Sequence, residues 1–269
     1  MIIENKWTLY DELIEGIPGE LRVEDFCVGL TWTAVRADCG WGVSMTVDQT
    51  AGPEEPRRRL IGASLREAAA LAKNWDFREA SIGMAAMNAY YNSPDRAKAL
   101  GFFPPEGGPN KKADAFELFR NAASGKRVTV VGHFPHLEQQ LKPYCSLSIL
   151  ERKPQPGDYP DSACEYILPE QDFVFITGVT LTNKTLPRLL ELIRPDAQVC
   201  MVGPSVPLSE TLHRFGADHL SGFCVTDGPA LLEMIRRGAM MELFSAGTRV
   251  NWSRVGMETR PAQIILNQE

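Results

Sequence analysis

A histidine that could transfer protons stands at the end of an apolar run in the second half of the chain. His133 follows RVTVVG, which ends at Gly132. An imidazole has an unperturbed pKa of about 6.5 and exchanges protons near neutrality, so His133 is the candidate general acid or base. His136 lies three positions further on, and two neutral imidazoles are also suitable ligands for Zn, Cu, Fe or Ni. A metal site needs further ligands from elsewhere in the fold, so proton transfer by His133 is the preferred interpretation.

The segment after a later apolar run is crowded with hydroxyl groups. It reads TGVTLTNKT over residues 177–185 and leads into a predicted helix. The free N–H groups and the positive dipole end of a helix favour an anion, and threonine hydroxyls add further donors. The alternative is that Thr182 or Asn183 caps the helix and that the other threonines are ordinary strand-end residues. We prefer the binding role, for which the candidates are Thr177, Gly178, Thr180, Asn183 and Thr185.

Two other strand-end positions offer polar groups for positioning a ligand. Glu151 ends the second apolar run, where an acid in nucleotide-binding folds accepts hydrogen bonds from ribose hydroxyls. A solvated carboxylate, or one paired with Arg152, is the alternative. Ser205 follows Gly203 and Pro204, which permit close approach and hold a rigid path. Ser205 is predicted to position a ligand rather than to act as a nucleophile, because no G-x-S-x-G elbow surrounds it.

Three candidates depend on single residues. Asp227 follows the fifth apolar run and is either a ligand contact or the N-cap of the helix that starts at Gly228. Thr31 lies within a strand-like run of the first half, and Asn88 lies in an otherwise apolar helix pattern. A buried amide needs a hydrogen-bond partner, so Asn88 is predicted to meet either a ligand or a neighbouring element.

The candidates of the second half follow a series of short apolar runs that alternate with helical patterns. The runs are RVTVVG, CSLSILE, DFVFITG, AQVCMVG and HLSGFCVTD. Runs rich in Val, Ile and Phe indicate strands buried on both faces of a mainly parallel sheet, and ligands bind beyond the carboxyl ends of such strands. We therefore predict a Rossmann-like α/β domain over residues 123–269. The G-x-G-x-x-G fingerprint is absent after the first run, which argues against NAD.

The first half has a different pattern, which predicts an α+β domain over residues 1–122. An initial helix pattern is followed by two predicted strands, LRVEDFCVGLTWTAVRAD and WGVSMTV, around a turn at residues 38–40. Ser64 and Glu67 form a capping box for the next helix, and FREASIGMAAMNAYYN predicts another. A Pro- and Gly-rich stretch at residues 101–112 precedes a last helix and marks the boundary region.

The composition excludes several classes of protein. The 269 residues are 44% apolar and 23% charged, with a net charge of −6, as in an ordinary globular protein. Without a long basic run the chain lacks the charge pattern for nucleic acid, and no window suits a membrane helix or a signal sequence. The six widely spaced cysteines include no C-x-x-C, so we expect reduced thiols in a cytoplasmic protein.

The order of these motifs resembles a known family. Similarity to the family of unknown function labelled "putative heavy-metal chelation domain" is carried by VVGHFP, ILERKPQPGD, ITGVTLTNKTL, MVGPSVPLSE and HLSGFCVTD. In that family an enolase N-terminal-like domain precedes the Rossmann-like domain, and the first half of this chain is similar to that partner. The resemblance implies a site at the domain junction, closed by first-domain residues and formed by Gly132, Phe134, Glu151, Arg152, the hydroxyl-rich loop and residues 203–207.

Several functions stay open at this point. The preferred hypothesis is a small-molecule enzyme at the domain interface, a hydrolase or transferase without a redox cofactor. It would carry out condensation, hydrolysis or group transfer on a heterocyclic or chelator-type metabolite such as a pterin, flavin precursor or siderophore. The alternatives are a non-enzymatic binder of a metal or metal-chelate complex and a structural or regulatory protein.

The cofactor and the assembly are also open. Similarity to methyltransferase-like folds would make Glu151 an adenosine contact, so an adenosine-type cofactor and a divalent metal are the two cofactor alternatives. The expected partner is an anionic or heterocyclic small molecule, with neither nucleic acid nor membrane. A homodimer is the default assembly, because two-fold oligomers are common.

Overall fold

The computed structural model describes residues 5–49, 52, 59–101 and 115–254. The Pro- and Gly-rich stretch predicted at 101–112 lies outside the described residues except for its first position. The described part contains one antiparallel and one mainly parallel sheet, together with helices. This mixed architecture confirms the predicted α/β fold class.

The first half of the chain forms, within its described residues, a three-stranded antiparallel sheet in the order β1-β2-β3. Its elements are α1 (Thr8–Glu15), β1 (Val23–Val28), β2 (Trp32–Ala37), β3 (Gly40–Met45), α2 (Leu65–Ala69), α3 (Phe77–Tyr91) and α4 (Pro94–Ala99). The predicted capping box is confirmed at the start of α2, where the Glu67 carboxylate accepts the backbone N–H of Ser64 at 3.2 Å.

The prediction of two strands in this region is wrong in one respect, because the first of them is divided into β1 and β2. The chain turns at residues 29–31, where the N–H of Gly29 donates to the carbonyl oxygen of Trp32 at 2.9 Å. A Cβ at Gly29 would lie 2.5 Å from Cγ2 of Ile235, so a side chain does not fit this turn. Because apolar residues continue through the turn, periodicity alone does not reveal the break.

The second half forms, within its described residues, a seven-stranded sheet in the order β10-β9-β8-β7-β4-β5-β6. All neighbouring strands run parallel except β10, which is antiparallel to β9. Its elements are α5 (Ala115–Ala123), β4 (Arg127–Val131), α6 (Leu137–Leu141), β5 (Ser146–Glu151), β6 (Tyr159–Pro160), α7 (Cys164–Ile167), β7 (Phe173–Thr177), α8 (Val179–Thr182), α9 (Leu186–Leu192), β8 (Gln198–Val202), α10 (Glu210–Arg214), β9 (His219–Val225), α11 (Gly228–Arg236) and β10 (Gly247–Ser253).

The five predicted strands of this sheet are confirmed as β4, β5, β7, β8 and β9. The edge strands β6 and β10 are not evident from the sequence, because β6 has two residues and β10 is mostly half-buried. The Rossmann-like and enolase N-terminal-like assignments, and a boundary between residues 122 and 123, stay predictions. None of the described helices combines the length and apolar character needed to cross a membrane.

Helix α3 packs between the elements of the two halves. A Cβ at Gly42 of β3 would lie 2.0 Å from the backbone nitrogen of Ala89, so the strand and the helix touch backbone to backbone. At the end of α3, Asn92 donates to the carbonyl oxygen of Val206 at 2.9 Å and accepts the N–H of Leu208 at 2.8 Å. These contacts hold the loop that follows β8 in a fixed position.

Candidate functional site

A cleft of about 670 Å³ opens at the carboxyl ends of the parallel strands. The small sheet contributes Trp32 of β2 and Met45 of β3 to its wall. Ligands bind at this edge of parallel sheets, and the volume is typical of small-molecule sites. The predicted site residues that line the cleft are Gly132, His133, Phe134, Glu151, Arg152, Thr177, Thr180, Asn183, Thr185, Gly203, Pro204 and Ser205.

His133 is held by a carboxylate that sequence analysis did not identify. Its Nδ1 lies 3.0 Å from Oδ2 and 3.2 Å from Oδ1 of Asp158, whose side chain is 3% exposed. The backbone N–H of Gln155 donates to the same Oδ2 at 2.9 Å, which fixes the carboxylate within its loop. A carboxylate at Nδ1 favours the tautomer with its proton on that nitrogen and leaves the lone pair of Nε2 available.

The short strand β6 brings Asp158 to this position. It pairs with β5 so that Leu150 lies opposite Tyr159, which turns the intervening loop back toward His133. Gly157, with a φ of 104°, and the N–H of Asp158, which donates to the carbonyl of Gln155 at 2.9 Å, form the turn. The signal that could have identified Asp158 is this Pro-Gly-Asp turn at residues 156–158, a few positions after a predicted strand.

Both carboxylate oxygens of Glu151 are used inside the loops. Oε2 accepts the N–H of His133 and Oε1 accepts the N–H of Lys153, each at 3.0 Å. Glu151 therefore fixes the backbone that carries His133. Arg152 pairs with Asp161 at 3.3 Å instead of with Glu151. A ribose contact for Glu151 stays a prediction, since each oxygen can accept a second hydrogen bond.

The hydroxyl-rich loop satisfies many of its own polar groups. The Thr180 hydroxyl donates to the carbonyl of Thr177 and the Thr185 hydroxyl donates to Oδ1 of Asn183, each at 2.7 Å. Helix α8, which follows Gly178, has four residues. A Cβ at Gly178 would lie 2.7 Å from the backbone of the loop after β8, so this glycine is packed rather than open to a ligand. The anion-binding role of this loop stays a prediction.

Lys184, in the same loop, contacts the first half of the chain. Its Nζ donates to the carbonyl oxygens of Asn74 and, at 2.8 Å, of Thr182. The ammonium group also lies 4.9 Å from the ring centroid of Phe77. Burial lowers the pKa of Lys184 to about 8, against the opposing influence of Asp76.

Two predicted residues join the two halves of the molecule. The Ser205 hydroxyl accepts the N–H of Met45 at 2.9 Å, which uses it as a connection between β3 and the loop after β8. Asn88 donates to the carbonyl oxygens of Val43 at 2.9 Å and Pro204 at 3.2 Å. Asn88 is fully buried, and of its two predicted roles the structure shows the contact with neighbouring elements.

Three further candidates are not brought into the cleft. Asp227 is the N-cap of α11, where its carboxylate accepts the N–H of Ala230 at 2.9 Å. Thr31 lies in the turn between β1 and β2, and His136 is an exposed residue with a φ of 60° before α6. The second imidazole of the predicted pair is therefore not part of the His133 site.

Several residues that sequence analysis did not name also line the cleft. They are mostly large and apolar, and they include Trp32, Met45, Phe116, Met240, Met241 and Phe244, together with Arg249. The indole N–H of Trp32 donates to the carbonyl of Met240 at 3.0 Å, so part of this wall is fixed by a hydrogen bond between the two halves. Met240, Met241 and Phe244 are close together in the sequence, but the other four residues come from four separate elements, so no single spacing connects the set.

The donor groups of the described residues do not fit a tight heavy-metal site. All four histidines and all six cysteines lie within the described residues, which contain no group of three or more His, Cys, Asp or Glu side chains that could hold a metal ion. Burial raises the pKa of the Cys39 thiol to about 11 and that of Cys224 to about 12. These shifts disfavour the thiolate that binds metals.

The fold is that of an α/β protein with a cleft at the carboxyl edge of a mainly parallel sheet. Comparison with known proteins identifies its family. The DUF364 family model, described as "Putative heavy-metal chelation", matches residues 114–253, and the DUF4213 model, with the same description, matches residues 10–91. The chain belongs to this family.

Relatives share both the sequence and the architecture. A structure from Desulfitobacterium hafniense, described as a protein with unknown function from the DUF364 family, has 40% identity and a TM-score of 0.85, covering 94% of this chain and all of the other. Another DUF364 structure, from Pyrococcus horikoshii, shares the fold with 23% identity and a TM-score of 0.74, covering 93% of this chain and 99% of the other. An uncharacterized protein of Methanocaldococcus jannaschii is 27% identical, over 93% of this chain and 96% of the relative.

Proposed function

We propose that this protein is an enzyme that moves protons on a small organic molecule in the cleft, with His133 as the acid-base group. The observation that carries the proposal is the 3.0 Å contact between Nδ1 of His133 and the buried carboxylate of Asp158. Such a carboxylate orients the ring and stabilises the imidazolium that forms when Nε2 accepts a proton. Glu151 accepts the backbone N–H of His133 and so fixes the backbone that carries the ring.

The lining of the cleft favours an organic substrate over a bare ion. Aromatic and methionine side chains such as Trp32, Phe116, Phe244 and Met240 form broad apolar walls, which suit the body of a flat molecule. A heterocyclic or chelator-type metabolite, such as a pterin, a flavin precursor or a siderophore-like compound, is the proposed substrate class. Condensation, hydrolysis and group transfer on such a molecule each need a proton transfer at the attacking or leaving atom.

The test of this function has two stages. The full chain is first heated with pterins, flavin precursors, catecholate chelators and adenosine-type compounds, because a ligand at 100 times its Kd adds about 2.7 kcal/mol of stability. Compounds that raise the Tm are then incubated with the protein, and products are followed by liquid chromatography and mass spectrometry. The same assay on His133→Gln and Asp158→Asn should show turnover lower by about 100-fold or more.

A matched control separates loss of the acid-base pair from loss of a buried carboxylate. Asp218 is also buried and also accepts a backbone N–H, from Val199 at 2.9 Å, but it does not line the cleft. Asp218→Asn should lower the Tm and retain turnover in the remaining folded protein. Unchanged turnover in His133→Gln would show that the proposed assignment is wrong.

The family description supports a second candidate, a non-enzymatic binder of a metal-chelate complex. A chelate brings its own ligands, so it does not require the cluster of protein donors that the described residues lack. Binding of a catecholate chelator with and without Fe³⁺, measured by fluorescence quenching, distinguishes the candidates. Tight binding of the loaded chelate without chemical change favours the binder, and conversion of the metal-free compound favours the enzyme.

A further inference from the structure

Four lysine or arginine side chains of the described residues line the cleft, and three of them form ion pairs or hydrogen bonds with other groups of the protein. Arg152 pairs with Asp161 at 3.3 Å. Arg188 pairs with Glu165 at 2.6 Å, and the ammonium group of Lys184 donates to two backbone carbonyls. The charges of these three side chains are therefore at least partly satisfied before any ligand enters.

The fourth, Arg249, has no carboxylate within ion-pair distance among the residues that the structure describes. It lies on β10 opposite Phe223, and its guanidinium sits 4.0 Å from the ring centroid of Phe244. Phe244 in turn contacts Phe223 edge to face at 5.5 Å, so the ring under the guanidinium is fixed. An arginine stacked on a ring keeps its planar set of N–H donors available for a carboxylate or phosphate.

We propose that Arg249, supported by Phe244, binds an anionic group of the ligand, and that the ligand is an organic anion with an apolar or aromatic body. This inference rests on the proposed function and specifies its substrate class. Strands β10 and β4 are separated by three strands, which is on the order of 19 Å at the usual strand spacing. An organic body can span the apolar wall between Arg249 and His133, whereas a bare inorganic ion cannot reach both.

The test compares molecules that differ in charge and share the same body. Flavin mononucleotide and riboflavin differ by a phosphate, and 2-naphthoate and 2-naphthamide are a carboxylate and its neutral isostere. Their Kd values are measured by fluorescence titration on the full chain and on Arg249→Gln, Arg249→Lys and Arg120→Gln. Arg120 is the matched control, because it also lies over a ring, that of Tyr144 at 5.1 Å, outside the cleft.

The unchanged protein should prefer the charged member of at least one pair by about tenfold or more. Arg249→Gln should abolish that preference, Arg249→Lys should keep part of it, and Arg120→Gln should keep all of it. The pair that shows the preference identifies the group as a phosphate or a carboxylate. The inference is overturned if the preference survives in Arg249→Gln, if Arg120→Gln reduces it equally, or if none of the four compounds binds.

The proposed function can fail independently of this inference. His133→Gln should retain the charge preference, because His133 is assigned to the proton and not to the anion. If the charge preference depends on Arg249 while substrate turnover does not depend on His133, the anion site is supported and the assignment of His133 as the acid-base group of an enzyme is wrong. If Arg249→Gln lowers the Tm, the charge preference is also compared in Arg249→Lys, because this variant keeps the charge and most of the side-chain volume.

Discussion

Two loops at the carboxyl edge of the large sheet use their polar groups in different ways. In the loop that follows β4, one ring nitrogen of His133 contacts Asp158, and the other forms no hydrogen bond with the residues that the structure describes. In the loop at residues 177–185, the Thr180 hydroxyl bonds a backbone carbonyl, the Thr185 hydroxyl bonds Asn183, and Lys184 bonds the backbone of the first half. Among the described residues, the buried Thr182 hydroxyl of this loop has no hydrogen-bond partner. Under the proposed function, a donor or acceptor left unused in the cleft indicates function better than the number of polar residues does, since the unused Thr182 hydroxyl does not line the cleft.

The strongest test of this comparison is whether His133 and Asp158 act as one unit. We expect His133→Gln and Asp158→Asn each to lower turnover by about 10²- to 10⁴-fold, and the double variant to lose no more than the worse single variant. Steady-state kinetics on the identified substrate measures all three. If the loss of turnover in the double variant equals the product of the two single losses, Asp158 does not act through His133.

A second prediction concerns the hydroxyl-rich loop. Thr180 is buried, and its hydroxyl donates to the carbonyl of Thr177 at 2.7 Å. Thr180→Val should lower the free energy of unfolding by about 1–2 kcal/mol, because it leaves that carbonyl short of a donor in the interior. Ligand affinity should change little. A large loss of affinity at unchanged stability would reverse the comparison and restore the loop as an anion site.

The third prediction uses pH to examine Lys184. Its pKa of about 8 in the folded protein lies below the usual 10.5, so between these values the unfolded chain binds more protons and stability rises with pH. Relative to Lys184→Met, the unchanged protein should therefore gain on the order of 1 kcal/mol from pH 8 to pH 10.5, after allowance for solvent screening. Urea denaturation of both proteins at a series of pH values measures this difference, and a constant difference would contradict a buried ammonium group.

The smallest expected effect is that of bare metal ions. Because the described residues lack a cluster of three or more donors, Zn²⁺, Ni²⁺ and Co²⁺ should raise the Tm by less than about 1 °C at concentrations where a tight site would be saturated. Calorimetric titration provides a second measurement. A reversible, chelator-sensitive rise of several degrees would reveal a metal site formed with residues outside the described ranges.

Local signals in the sequence account for much of this fold. The buried strands of the large sheet, the Ser64 capping box and the position of Pro187 in the first turn of α9 follow from apolar runs and local hydrogen-bonding chemistry. The same information placed His133 at a strand end, where the topology of a parallel sheet exposes residues to a ligand. These features depend on neighbours along the chain.

The features that escaped sequence analysis depend on distant residues. Asp158 reaches His133 from 25 positions away, because the two-residue strand β6 folds its loop back onto β5. Arg249 enters the cleft from an edge strand whose residues are mostly half-buried, so that no clear apolar pattern marks the strand. Asn88 required a partner by its chemistry, yet only the tertiary structure supplied Val43 from the same half and Pro204 from the other half.

The sequence by itself determined the α/β class, the succession of the main strands along the chain and the place of His133 after the first strand of the large sheet. The tertiary structure decided which polar groups remain unused, because that depends on the partners each group meets after distant segments pack together. In the unfolded chain, a hydroxyl or carboxylate has the same chemistry at every position of the sequence. Its availability for a ligand is set by hydrogen bonds that form across the fold.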